Sequence, residues 1–274
     1  MTSPGSAAKR ENAQLHFEIN PGRLAEIIGE AVLASTEVVN VHLNALSDEN
    51  LSRPIEGNGS IYRFRGPERS LEQRRALHEN WILAKAFQDL LRAVRHALEE
   101  AHVMATLFAK RHRATSSGTL ADFIRPFQSK AAGLPFPGLL DAVNGLLDPK
   151  LEFSDSYRSL QAARNCLEHR AGVVNQIDTK GAAALLLSIP RLKLFYFRGN
   201  EEIELLAGER VDSGDDRAEV EIMAKLEIRR RSIAVGQRLS FSALEFNEIA
   251  FACNYLGQQL ATRLLKPTAV VSDV

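Results

Sequence analysis

At 274 residues, 45% hydrophobic and 25% charged, the chain has the make-up of a globular protein with a substantial core. Lysine plus arginine (34) balances aspartate plus glutamate (34), which argues against a protein that coats long stretches of duplex and leaves room only for a local cationic pocket. The two cysteines, Cys166 and Cys253, stand far apart with no CxxC or Cys/His cluster, so they read as small buried hydrophobes of a reducing compartment rather than a disulfide or zinc site.

Residues 1–18 are small and polar and read as a loose tail with no apolar signal core. No apolar run of ~20 residues follows anywhere, so a cytoplasmic protein with no membrane partner is expected. Asn20-Pro21 suits the start of a first helix, with Leu24, Ile27, Ile28, Ala31, Leu33, Val38, Val41 and Leu43 as its apolar positions and an end near Ser47. Residues 48–69 carry Arg53-Pro54, Gly57-Asn58-Gly59 and Gly66-Pro67 and read as a linker around a short extended piece at Ile61, Tyr62 and Phe64.

Ser70 and Gln73 form a capping box for the longest periodic run, which includes Leu77, Trp81, Phe87, Leu91, Val94, Leu98 and Phe108. Unbroken, ~40 residues would span ~60 Å, so a kink or a split is expected. His78, His96 and His102 sit on no adjacent turns and suggest no metal site. Lys110-Arg111-His112-Arg113 ends the run, read as a cationic helix terminus that complements the dipole or, alternatively, as a phosphate-contacting patch. Helices over Leu120–Lys130 and Gly138–Leu147 follow, and Phe153-Ser154-Asp155 caps another.

Beyond Gly172 the pattern turns β-like at Ala182–Leu187, Arg191–Arg198 and Ile203–Leu206. Asp212, Asp215 and Asp216 lack EF-hand spacing and read as a solvated turn. Val220, Ile222, Ala224, Leu226 and Ile228 alternate with mostly charged positions, which predicts a strand with one buried and one wet face. Arg229-Arg230-Arg231 reads as a hairpin end leading into a further strand over Ile233–Phe241. Ser242 and Glu245 form a second capping box, Phe241 with Phe246 a hydrophobic staple, and Lys266-Pro267 stops the last helix. The fold class is therefore α+β and predominantly α-helical. It comprises a helical body over 19–184, a small antiparallel β insertion over 185–241, a closing helix over 242–265 and a loose tail over 266–274.

One stretch concentrates chemistry: Arg164-Asn165-Cys166-Leu167-Glu168-His169. On an ideal helix Asn165 and His169 share a face, whereas Arg164 and His169 are ~140° apart, so they converge only if the helix ends or distorts near His169, or if the long Arg164 reaches around; Gly172 supplies a possible stop. Read without function, Arg164 and Glu168 form an i, i+4 ion pair and His169 is a surface residue at the helix end.

The arrangement R-N-x-x-x-H within Arg164–Val174 resembles the HEPN superfamily, whose signature is an arginine, commonly a following polar residue, and a histidine five positions after the arginine. The resemblance covers ~15 residues; Arg164, Asn165 and His169 match it one by one. It implies a HEPN-like helical bundle with the β segment as an insertion, and RNA cleavage without a metal or other cofactor at a site shared by a homodimer. His169 would be the proton acceptor for a ribose 2′-hydroxyl, Arg164 the cation facing the phosphorane, and Asn165 the orienting group. Arg170 and Arg158 are candidate backbone contacts. A toxin or defence effector, with an antitoxin or other protein partner, fits this reading. The alternative is a non-catalytic dimeric scaffold or a nucleic-acid- or protein-binding module of the same fold.

Overall fold

The computed structural model describes residues 19–53, 67–109, 119–206, 209–211 and 220–265. The loose tails over 1–18 and 266–274, the extended piece at 61–64, the basic run 110–113, the aspartate turn and Lys266-Pro267 all lie outside them.

No glycine or proline interrupts the sequence between Leu71 and Ala109, and these 39 residues form one helix, α3, about 58 Å long. The expected split does not occur. Ser70 and Gln73 cap α3 reciprocally at 3.0 and 3.2 Å, as the capping box predicts. Phe87, Leu90, Leu91, Val94, Ala97, Leu98 and Ala101 on α3 are buried. Helix α1 (Gly22–Asn44), the short α2 (Asp48–Ser52) and the later α4 (Leu120–Gly133), α5 (Phe136–Asn144) and α6 (Ser154–Arg170) all pack against α3. The closing helix α8 (Ala243–Leu265) lies against both α1 and α3. Ser242 and Glu245 cap α8 reciprocally at 3.0 and 3.1 Å, and Phe241 and Phe246 are buried.

Several expected core positions face solvent: Leu33, Val38 and Val41 on α1, Leu77 and Trp81 on α3. Arg75 explains the α3 pair. It donates to Leu46 O at 2.5 Å and pairs with Asp48 at 2.6 Å, while His78 lies against His42 with ring centroids 5.5 Å apart. That turns the Arg74, Arg75 and Glu79 side of the first turns inward and Leu77 and Trp81 outward. The linker also begins with helix α2, capped by Ser47.

After α6 and the one-turn α7 (Gln176–Thr179) comes an antiparallel sheet of three strands in the order β2-β1-β3. Strand β1 (Ala184–Arg198) joins the two apolar stretches expected to be separate; β2 is Glu201–Glu204 and β3 is Met223–Ala234. The fold is thus mostly helical with a small antiparallel sheet before the last helix. Arg229–Arg231 lie within β3 rather than at a hairpin end, because Arg229 reaches Glu248 (2.7 Å) and Arg231 reaches Glu245 (2.7 Å) on α8. Only Ile233 and Ala234 of the expected further strand belong to β3; Arg238 forms an isolated bridge with Val173.

The alternation in β3 is real, but its polarity is opposite to the expectation. Ala224 and Leu226 are exposed, whereas Lys225 and Glu227 are half-buried on the side of the sheet that faces α8. The cause is Arg191 at the middle of β1, itself only 7% exposed. Its guanidinium meets Glu204 (2.5 Å), Glu227 and Glu248 (3.2 Å), and Lys193 and Lys225 share Glu202 at 2.7 and 2.8 Å. A buried guanidinium needs its donors filled, and Glu227 on β3, Glu204 on β2 and Glu248 on α8 supply the acceptors.

Candidate functional site

The site lies on the last turns of α6, and the sheet helps to hold that helix. Strand β2 pairs only with Phe195–Arg198, leaving the earlier part of that β1 edge without a strand partner among the described residues. There α6 takes its place: Ser188 N donates to Ser159 Oγ at 2.9 Å, and Ser159 Oγ lies 3.2 Å from Ser188 O. Tyr157 and Leu160 are fully buried, and the Tyr157 hydroxyl donates to Ala252 O at 2.9 Å, locking α6 to α8. The start of α6 differs from the expected cap. Phe153 adopts a left-handed conformation (φ 57°), and Ser154 Oγ instead accepts from Asn144 Nδ2 at 2.8 Å.

The helix stops one residue after its histidine. Ala171 (φ 51°) and Gly172 (φ 79°) are both left-handed, and Gly172 N donates to Cys166 O at 3.1 Å. Arg238 donates to Ala171 O at 2.8 Å and Leu239 N to Gly172 O at 2.8 Å, so the segment after β3 clamps this end.

Arg164 forms the i, i+4 ion pair with Glu168 that its spacing predicts, and His169 is a surface residue at the helix end, near the same carboxylate. Arg164 Nη2 lies 2.8 Å from Glu168 Oε2, and His169 Nε2 lies 3.9 Å from the same oxygen. His169 is 62% exposed and Arg164 19%. Arg164 Nε is buried with no hydrogen-bond partner among the described residues, so the guanidinium retains an unfilled donor. Asn165 Oδ1 accepts from Gln161 Nε2 at 2.9 Å, within α6 rather than toward His169. A cation and an imidazole thus lie on either side of one carboxylate oxygen at an exposed helix end.

The two candidate backbone contacts are already engaged. Arg170 forms a bidentate pair with Asp178, whose side chain has no exposure, with Nε–Oδ2 at 2.8 Å. That hydrogen bond pushes the Arg170 pKa upward. Arg158 is shared between Asp141 and Asp155, the latter at 2.6 Å. The Asp155 partner was legible as an i, i+3 neighbour; Asp141 and Asp178 come from other helices and have no local signal. Beneath the site, burial and then Asp178 push the Cys166 thiol up to about 11, so it is an inert hydrophobe here.

Comparison with protein-family models, curated proteins and solved structures finds no match to this chain. Among the described residues, no helix is long and apolar enough to cross a membrane.

Proposed function

We propose that the chain is a metal-independent endoribonuclease of HEPN type, acting at the exposed end of α6. The observation that supports this reading is the proximity of Arg164 Nη2 and His169 Nε2 to one oxygen, Glu168 Oε2, at 2.8 and 3.9 Å. In the proposed reaction His169 accepts the proton of a ribose 2′-hydroxyl. The 2′-oxygen bonds to the adjacent phosphorus, the P–O5′ bond breaks, and the products are a 2′,3′-cyclic phosphate and a 5′-hydroxyl. The leaving oxygen takes a proton from the imidazolium of the second copy or from water. Arg164 exchanges Glu168 for a phosphate oxygen and stabilises the charge that grows on it. Asn165, its oxygen held by Gln161, offers its NH2 group as a donor to substrate. DNA, lacking the 2′-hydroxyl, resists cleavage. A homodimer would bring two motifs to one cleft, and an antitoxin or other protein partner would restrain such an effector in the cytoplasm.

A second reading has its own observation. Arg164, Arg158 and Arg170 each carry a carboxylate partner within the chain, which is what a non-catalytic scaffold or binding module of this shape would show. The two are separated by incubating a mixed RNA pool in EDTA with wild type, His169→Ala and Arg164→Ala, each checked by circular dichroism. Cleavage that survives chelation, leaves cyclic phosphate ends and is lost in both variants supports the ribonuclease. Equal cleavage by all three, or none by the wild type, favours the scaffold.

A further inference from the structure

Strand β3 is built like an internal strand yet lies at an edge. Its inner side is paired with β1 over its whole length, from Met223 opposite Phe195 to Ala234 opposite Ala184. No strand lies against its outer side among the described residues. Edge strands are normally blunted by proline, by brevity or by a free lysine. Over its 12 residues β3 has no proline, and its lysine is occupied: Lys225 pairs with Glu202 at 2.8 Å and lies 4.8 Å from the Phe195 ring centre. Over 224–228 the face turned away from α8 is apolar, with Ala224, Leu226 and Ile228 opposite Leu194, Leu192 and Pro190; the exposed Arg230, opposite Ser188, follows them.

We infer that β3 pairs antiparallel with β3 of a second copy of this chain, on a two-fold axis at Leu226. Two identical edge strands that meet about a two-fold axis normal to their sheet run antiparallel, and charge selects the register. Centred on Leu226, the ladder sets Leu226 against itself and Ala224 against Ile228 on the apolar face. On the other face it sets Lys225 against Glu227 twice, opposite charges in directly facing positions. Centred on Glu227, it opposes two glutamates and sets Lys225 against Arg229. Centred on Ile228 it sets Glu227 against Arg229 but also Lys225 against Arg231 and, on the apolar face, Leu226 against Arg230; centred on Arg229 it opposes two arginines. Of these, only the Leu226 register suits both faces. The result is a continuous six-stranded sheet in which the apolar patch of each copy meets that of the other at Leu226. Ser159 of α6 holds the edge of β1 away from β3, and no residue of the Arg164/His169 site belongs to this contact. It is independent of any interface those sites would share.

The test uses the full chain with Leu226→Cys. Antiparallel partners lie ~4.5–5.5 Å apart at Cα, within disulfide range. Cys166 and Cys253 are buried, so the new thiol alone is available. Mild oxidation is expected to give a covalent dimer. Leu192→Cys, on the same face but about 14 Å from its copy, should stay monomeric on denaturing gels. Light scattering should show a wild-type mass that Leu226→Asp halves with an unchanged far-ultraviolet spectrum; Leu226 is already 40% exposed, so the fold tolerates the charge. A wild type that is monomeric up to on the order of 1 mM, cross-linking no faster at 226 than at 192, or a Leu226→Asp variant of the same mass as wild type would each overturn the inference.

Discussion

Arg164 Nη2 lies 2.8 Å from Glu168 Oε2, and that oxygen also lies 3.9 Å from His169 Nε2. Glu168 therefore occupies the position that a substrate phosphate would take in the proposed reaction. Replacing Glu168 with glutamine removes the competing charge while keeping the shape. Cleavage of RNA at subsaturating enzyme is expected to rise about 3–10-fold, because a charge-assisted contact becomes free for the phosphate. Stability should change by less than about 1 kcal/mol, as befits a part-exposed pair. Single-turnover cleavage beside urea melts checks both; a fall in cleavage would instead assign Glu168 a direct part in the chemistry.

Arg191 presents a different balance. Its removal in Arg191→Met leaves Glu204, Glu227 and Glu248 facing one another with the central cation gone, an expected loss of about 3–5 kcal/mol in urea denaturation. The same contact has a pH signature. The hydrogen bond from Arg191 holds the Glu204 pKa below its usual 4.5. A carboxylate depressed in the folded state contributes stability that is present above 4.5 and lost as pH falls through the lower folded value. Thermal melts between pH 3 and 7 should show wild-type stability falling below about pH 4.5, with a shallower fall in Arg191→Met.

The thiols should be silent. Burial raises Cys166 to about 11 and Cys253 to about 12. Neither is expected to react with an aromatic disulfide reagent at pH 8 in the native state, and both should react at once in denaturant. Rapid labelling of one thiol in native protein would show that α6 or α8 opens on that timescale.

Gly172 and Gly181 both have positive φ, at 79° and 87°, but differ in their surroundings. A Cβ at Gly172 would stand 3.2 Å from both Leu167 Cδ2 and Leu239 O, whereas nothing lies within 4 Å at Gly181. Gly181→Ala should cost about 1 kcal/mol from backbone conformation alone. Gly172→Ala should cost about 2–3 kcal/mol, since the clamp on the end of α6 must also give way. Paired urea melts measure the difference.

The helical half of the chain was legible because its signals are local. The boxes at Ser70/Gln73 and Ser242/Glu245 and the apolar spacing of α3 depend on residues a few positions apart. The sheet was less so. Alternation in Val220–Ile228 announces a strand but not which face turns inward, and that choice was made by Arg191, some 30 residues upstream and paired across the sheet. At the candidate site, the Arg164–Glu168 pair followed from i, i+4 spacing. The position of His169 beside the same oxygen depended on where α6 ends, which Arg238 and Leu239 fix from beyond β3.

The packing of α8 against α1 has a consequence for synthesis. Gly257 lets the two helices approach closely, with its Cβ position 3.2 Å from Ala25 Cα and 3.4 Å from Ile28. The fully buried Leu24 and Ile28 therefore gain part of their cover only when the last helix has left the ribosome. Until then a nascent chain carries an unsealed apolar seam along its first helix, a natural binding point for a chaperone.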